Sequence, residues 1–334
     1  MTFLSDKAVE RLRSSEAADF SGTRYELREF IARGGMGVVY AAEDGKLSRR
    51  VALKVLDTPD ANGELTSRLM REARILAQLE HPGIVPVHDV GVLPGGRVFY
   101  SMKFVEGLRL DRYIVQLDSL PQRLRLFLRV CDAVAFAHAR GVLHRDLKPA
   151  NIMVGSFGEV LVMDWGLAKI LREHSPSRDE TVLTSGQKAN SGSDSTPSTV
   201  VTDHGTVMGT PGYMSPEQAR GETEKIDVRS DIFSLGALLK FVAIGGTQGK
   251  SAALPRPLLA ICAKATAESP DARYTQVAEL VADVSLYLDG LPVSAYAENF
   301  LERFRRFYKR HDAAILFVTA YLIARALVLL FFHR

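Results

Sequence analysis

The stretch HRDLKPAN, residues 144–151, places His144, Arg145, Asp146, Lys148 and Asn151 within eight residues between apolar segments. Packing alone does not call for that density of polar groups, because charged side chains are rarely buried without partners. Their chemistry is complementary. Asp146 can accept a proton from a hydroxyl, Lys148 can balance phosphate charge, and Asn151 can offer an amide oxygen to a hard cation. Thirteen residues further on, VLVMDWGLAKI (160–170) supplies a second carboxylate, Asp164, beside the only tryptophan, Trp165. Read alone, that turn fits core packing and a metal-holding carboxylate equally well.

Upstream, GGMGVVY (34–40) has Gly34, Gly35 and Gly37, which leave backbone N–H groups open to a polyanion. Taken alone, the segment is equally compatible with a plain hairpin turn. VALKVL (51–56) carries Lys54 inside an apolar strand pattern, where an ammonium is costly unless paired. Its natural partner is Glu72, 18 residues on, within ELTSRLMREARILAQL (64–79). There Leu65, Leu69, Ala73 and Leu76 recur at helical spacing. A lysine at the surface of an edge strand is the alternative for Lys54.

The order of patterns is strand-rich from Tyr25 to about Tyr100, with one helix interposed, and mostly helical after Gly107. That order predicts an α+β chain with two lobes. Its 334 residues suffice for two cores. A net charge of +3 gives no argument for nucleic acid. Two distant cysteines predict neither a disulfide framework nor a zinc site and suit a reducing cytosol. Residues 5–18 read as a short polar helix. Residues 175–202 hold twelve Ser or Thr and few large apolar groups, the composition of a disordered loop.

Residues 313–332 form a run of 20 predominantly apolar residues, about 30 Å as a helix. Arg325 opposes insertion by roughly 2.5–3.5 kcal/mol, while twelve Ile, Leu, Val and Phe side chains favour it by roughly 4–7 kcal/mol. The preceding RFRRFYKRH (303–311) has five cations, the flank expected on the cytoplasmic side against an anionic leaflet. A membrane-tethered chain is expected, with its N-terminal part cytoplasmic and its C-terminus outside. A buried C-terminal helix is the alternative.

Together these motifs resemble the protein kinase family, in particular the bacterial eukaryotic-like Ser/Thr protein kinases, over roughly residues 25–290. The motifs agree with it in identity, order and spacing. The resemblance implies a two-lobed kinase fold, with an N-lobe over 25–106 and a C-lobe over 107–290. Outside that range the residue pattern adds a lead-in over 1–24, a basic juxtamembrane segment over 291–312 and the membrane helix over 313–332, and within it a disordered insert over 175–205 that falls in the activation loop. The resemblance implies ATP and Mg2+ as cofactors, with Mn2+ as a substitute, and protein Ser/Thr hydroxyls as substrates. Asp146 would be the catalytic base. Lys54, fixed by Glu72, would hold the α- and β-phosphates, and Asn151 and Asp164 the metal. Lys148 and Thr210 resemble the Ser/Thr class.

Ala32, Gly34, Gly35, Met36 and Gly37 would cover the phosphates. Val39, Ala52 and Met153 would sandwich the adenine, with Met102, Lys103 and Val105 at the hinge. GTPGYMSPE (209–217) would end the activation segment, Glu217 pairing with Arg273 of SPDARY (269–274) and Asp231 bracing the catalytic loop. Arg145 would meet a phosphate on the activation segment, with Thr202 or Thr206 the expected autophosphorylation site and a homodimer the arrangement for reaction in trans.

Three departures stand out. Ala32 replaces the first glycine of the loop, which should weaken nucleotide affinity without abolishing it. Trp165 replaces the usual phenylalanine and should pack near His144 and Leu76, holding Asp164 inward. The connection from about Gly246 to Leu258 is short, which bears on docking of protein substrates. A pseudokinase scaffold is the main alternative, against which stand the retained Lys54, Glu72, Asp146, Asn151 and Asp164. A small-molecule kinase is another, against which stand GTPGYMSPE and Lys148.

Overall fold

The computed structural model describes residues 18–34, 37–56, 63–165, 169–170, 212–246, 254–299, 303 and 317–325. The expected lead-in helix at 5–18 apart from Ala18, the loop at 175–205, and Gly35, Met36, Thr202, Thr206 and Thr210 lie outside these residues.

Alternating apolar residues build an antiparallel five-stranded sheet from β1 (Tyr25–Gly34), β2 (Gly37–Asp44), β3 (Arg49–Val55), β4 (Val87–Val92) and β5 (Val98–Lys103), in the order β1-β2-β3-β5-β4. One face covers a small cluster in which the Phe20 and Tyr25 rings meet Phe99 edge-on, at 5.4 and 5.6 Å between centroids. The other face receives α1 (Glu64–Gln78), which packs on β4 and β5. Helical periodicity turns Leu69, Ala73, Ile75 and Leu76 into the core, and Glu72 goes with them. A carboxylate on the buried face of an amphipathic helix requires a partner, and β3 supplies it.

The remaining chain is mainly helical: α2 (Leu110–Tyr113), α3 (Leu120–Ala139), α4 (Pro216–Ala219), α5 (Val228–Ala243), α6 (Arg256–Ala265) and α7 (Val277–Leu288). The Ser119 hydroxyl caps α3 by accepting from the Gln122 N–H, and the Asp227 carboxylate caps α5 by accepting from the Arg229 N–H. The mostly helical expectation for this half missed five short strands. β6 (Gly107–Arg109), β8 (Ile152–Gly155) and β9 (Val160–Val162) form one sheet, while β7 (Val142–Leu143) pairs with β10 (Lys169–Ile170). Runs of two to four residues are too short for a period of two to show in the sequence. These strands carry the turns that hold the polar residues of 144–151 and 164–165. A parallel bridge, Ile84 to Val162, with the Val162 N–H donating to the Gly83 carbonyl at 2.8 Å, ties the two lobes together behind that site.

One extended apolar cluster runs through both lobes, from Leu69 and Leu76 of α1, through Val130 and Val134 of α3, to Leu235 and Leu239 of α5 and Ile261 of α6. The connection from α5 to α6 is as short as expected. Beyond α7, the chain is tied back by Asp283, which accepts hydrogen bonds from the Tyr274 hydroxyl (2.7 Å), the Ser294 hydroxyl and N–H (2.8 and 2.6 Å) and the Ala295 N–H (3.1 Å). Among the described residues no helix is long and apolar enough to cross a membrane. The expected span at 313–332 is described only over 317–325, a helix that exposes Phe317, Val318, Tyr321, Leu322 and Ile323.

α5 and α6 approach closely at Gly236, where a Cβ would lie 2.6 Å from the Ala265 Cβ and 2.9 Å from the Thr266 methyl. Gly236→Leu is expected to lower the unfolding free energy by about 1–3 kcal/mol through overpacking, read as the midpoint shift in urea. An unchanged midpoint would show that the two helices do not meet there.

Candidate active site

β3 and β5 are neighbours, with Lys54 opposite Tyr100 and Ala52 opposite Met102. This register brings Lys54 beneath α1. Its Nζ donates to both Glu72 carboxylate oxygens, at 2.7 and 2.9 Å, and to Asp164 Oδ1 at 3.1 Å. The Tyr100 hydroxyl donates to Glu72 Oε1 at 2.8 Å. Burial pulls the Lys54 ammonium down, but Glu72 and Asp164 outweigh it and hold its pKa above the ordinary lysine value. Burial likewise pushes the Asp164 carboxyl up, and Lys54 outweighs that, leaving it below the usual range. The lysine is therefore a cation, and half-exposed Asp164 is an anion turned toward it.

The 144–151 stretch forms a second cluster. Lys148 Nζ donates to Asp146 Oδ2 at 2.7 Å. Asn151 Nδ2 donates to the Asp146 carbonyl at 2.8 Å and to Asp146 Oδ2 at 3.0 Å. With its nitrogen so engaged, Asn151 keeps its amide oxygen for a cation. The Asn151 amide and the Asp164 carboxylate both offer oxygen, on segments that the Met163 N–H joins by donating to the Asn151 carbonyl at 2.8 Å. Among the described residues no group of three His, Cys, Asp or Glu is placed to hold a metal. Two oxygen donors suit Mg2+, which takes one or two protein oxygens and completes its shell with phosphate and water.

Behind this loop, Asp231 at the start of α5 is a buried hub. Its Oδ2 accepts from the His144 N–H (2.8 Å) and meets His138 Nε2 (2.8 Å), while its Oδ1 accepts from the Arg145 N–H (2.8 Å). Burial raises its carboxyl, and these bonds outweigh that, so it stays below the ordinary aspartate value. Arg145 and Asp164 adopt φ of 69° and 59°. Left-handed backbone at a residue other than glycine costs on the order of 1 kcal/mol or more, so surrounding contacts must enforce it. For Asp164 the adjoining contacts are its own bond to Lys54 and those of Trp165. The indole is buried, its ring centroid lies 4.6 Å from that of His144 with the planes tilted by 51°, and its Nε1 donates to the Val162 carbonyl at 3.4 Å. His144 Nε2 in turn meets the Met163 carbonyl at 3.0 Å. The expected neighbour His144 is thus met, and Trp165 belongs to the same extended apolar cluster as Leu76.

Among the residues expected to contact nucleotide, Ala32 and Gly34 end β1, facing Val39 and Gly37 of β2 respectively. A Cβ at Gly37 would lie 2.1 Å from the Val55 carbonyl oxygen, so only glycine fits that approach of β2 to β3. Val39 lies opposite Lys54, Ala52 and Met102 are buried neighbours, Lys103 ends β5, and Val105 is buried just beyond it. Met153 is on β8 opposite Arg109.

Glu217 and Arg273 lie apart from these clusters, in a buried anchor. Arg273 Nη1 and Nη2 donate to the two Glu217 carboxylate oxygens at 2.8 and 2.9 Å. Its other donors reach the Ala267, Glu268 and Arg229 carbonyls, so all five guanidinium N–H groups are satisfied. Ser230 Oγ donates to Glu217 Oε1 at 2.6 Å.

Sequence reasoning missed Tyr100, His138, Gln218 and Ser230. A signal existed for Tyr100, which shares a strand face with Met102 by the period of two. None existed for His138 or Ser230, which meet their partners only after the helices pack.

Comparison with known proteins follows the same lines. The profile of the protein kinase domain family matches residues 25–251. The serine/threonine-protein kinase PknD of Chlamydia trachomatis serovar L2b is 33% identical over 330 residues, covering 88% of this chain and 34% of that protein. PknD of Chlamydia felis is 35% identical over 306 residues, covering 80% and 31%. This chain thus spans about a third of the length of the curated relatives it matches. The Mycobacterium tuberculosis PknI kinase domain superposes with a TM-score of 0.55 at 24% identity, over 80% of this chain and 98% of that one, a likeness of fold.

Burial raises the Glu217 carboxyl, but Arg273 and Ser230 outweigh it and bring it to about 2 from an ordinary 4.5. A folded-state value below the unfolded one stabilises at pH above the unfolded pKa, and that stability is lost as pH falls through the folded pKa. Lowering the pH from 4.5 to about 2 should therefore remove about 3 kcal/mol through this one group. Comparing acid unfolding of the wild type and Glu217→Gln tests this: the variant should be less stable at pH 7 and less pH-dependent in that window. Parallel profiles would contradict it.

Proposed function

The chain belongs to the protein kinase domain family, and from that membership we propose that it is an ATP-dependent Ser/Thr protein kinase. The observation that carries the proposal is a pair of hydrogen-bonded clusters, Lys54 with Glu72 and Asp164, and Asp146 with Lys148 and Asn151, whose segments are joined where the Met163 N–H donates to the Asn151 carbonyl at 2.8 Å. Phosphoryl transfer needs positioning and charge neutralisation more than covalent chemistry, and this is a site of fixed charges without an activated nucleophile. Bound Mg2+ would supply charge neutralisation between the phosphates. Asn151 and Asp164 would hold it, Lys54 would orient the α- and β-phosphates, and Ala32, Gly34 and Gly37 would lie over them. Asp146 accepts the proton of the attacking Ser or Thr hydroxyl, and Lys148 beside it offsets charge on the transferred group. Against the pseudokinase reading stand the retained Lys54, Glu72, Asp146, Asn151 and Asp164.

Regulation by autophosphorylation at Thr202 or Thr206 is part of the proposal. Its support is Arg145, whose Nε and Nη2 are buried without hydrogen-bond partners among the described residues, and a guanidinium in that state suits a phosphate. A single membrane span at 313–332, with the kinase on the cytoplasmic side, is supported by the apolar run and its five-cation flank. A tethered chain favours encounter of two copies and hence reaction in trans.

The test is transfer of labelled phosphate from Mg-ATP by the full chain in detergent, to itself and to a generic basic protein. Asp146→Asn should lower the rate by about 10²–10⁴-fold. Equal labelling by wild type and variant, or none by either, would overturn the kinase reading. Label confined to sites outside 175–206 would overturn the autophosphorylation site alone.

A further inference from the structure

The Arg145–Asp146 peptide unit is held from both ends by side chains of other residues. Its carbonyl accepts a hydrogen bond from Gln218 Nε2 at 2.8 Å, and its N–H, that of Asp146, donates to His144 Nδ1 at 3.2 Å. Peptide planarity means that fixing the carbonyl direction also fixes the N–H and the bond leading to the Asp146 Cα. The preceding N–H, that of Arg145, is taken by Asp231. Arg145 is one of only three described residues other than glycine with positive φ, so its backbone stays there only if it is held.

Gln218 suits that task because its amide has no freedom left. Its Oε1 accepts from the Ser215 N–H at 3.2 Å and from the Ser215 hydroxyl at 2.8 Å, closing a capping box at the start of α4. With the oxygen committed to Ser215, the NH2 group is the part turned to the Arg145 carbonyl. A flipped amide would set donor against donor at Ser215 and acceptor against acceptor at Arg145. The neighbouring residue, Glu217, is fastened by Arg273 and Ser230. The element bearing Gln218 is therefore itself anchored to the helical lobe.

We propose that Gln218 is a positioning residue: by holding the Arg145 carbonyl it sets the direction of the Asp146 carboxylate, and it links the anchored 213–219 segment to the proton-accepting group. The proposal rests on the kinase reading for the role of Asp146, but the clamp itself is a matter of geometry. A capping box needs only an acceptor at this position, and glutamate serves as well as glutamine. The clamp needs a donor as well, and glutamate has none at neutral pH. Gln218→Glu therefore keeps the cap and turns the contact with Arg145 into a repulsion, whereas Gln218→Ala removes both.

The experiment measures steady-state kinetics, melting temperature and amide hydrogen exchange at Arg145 and Asp146 on the full chain in detergent, for wild type, Gln218→Glu and Gln218→Ala. The expected result for Gln218→Glu is a kcat lower by about tenfold to hundredfold, from misdirection of one catalytic group. KM for Mg-ATP should stay within about twofold, since no nucleotide contact is touched. Its melting temperature should fall by only a few degrees, since the cap is kept, and exchange at Arg145 and Asp146 should be about tenfold faster or more. Gln218→Ala should show the same kinetic loss with a lower melting temperature. Wild-type kcat in Gln218→Glu, or a kcat loss without faster exchange, overturns the positioning role. A wild-type chain that transfers no phosphate fails the kinase reading instead, and the clamp then stands or falls on exchange alone.

Discussion

Lys54 is the cation on which the arrangement of the site turns. It comes from the middle of a sheet, yet it bonds to a helix carboxylate, Glu72, and to a loop carboxylate, Asp164. A buried ion pair gains little net stability over apolar packing, but removing one partner strands the other and costs about 3–5 kcal/mol. The triad thus acts more as a constraint than as a source of stability. α1 must present Glu72 inward, and the turn after β9 must bring Asp164 forward, or charges remain unpaired. Tyr100 adds a neutral donor to Glu72 and narrows the choice further. The positive φ at Asp164 is tolerable in this setting, since Trp165 is locked behind it against His144.

The opposing cluster depends on a different kind of restraint. In the proposed role Asp146 has to be reachable by a hydroxyl, which pinning by burial would prevent. Its backbone is pinned instead, with Asp231 on the Arg145 N–H and Gln218 on the Arg145 carbonyl, leaving the carboxylate between Lys148 and Asn151. Both pinning residues belong to elements fastened elsewhere, Asp231 through α5 and Gln218 through the Glu217–Arg273 anchor. The charged groups that would meet substrate are thus braced by polar contacts that are themselves buried and mostly satisfied. Preorganised electrostatic catalysis requires that arrangement, because groups already in place need no reorganisation during the reaction.

Much of this was legible in the sequence, for identifiable reasons. The ion pair could be read because a lysine in an apolar strand and a glutamate on the apolar face of a helix each break a pattern, and each break calls for the other. The cluster at 144–151 could be read from its density, and the two-lobed order from the change of period near Gly107. The short strands β6 to β10 could not, since a few residues carry no period. Gln218 was hidden for another reason: its local bonds close a helix cap, and its other bond goes to a backbone carbonyl 73 residues away. His138 and Ser230 were hidden likewise, because a lone polar residue on a helix carries no sign of a tertiary partner.

The central claim is that Glu72 holds Lys54 where it can act on phosphate, and single-turnover phosphoryl transfer from Mg-ATP by Glu72→Gln tests it most directly. The substitution keeps the size of the side chain and removes the charge that pairs with Lys54. The account predicts transfer slower by about 100-fold or more, since an electrostatic group aimed at the reacting phosphates would lose its support. Transfer at the wild-type rate would contradict it.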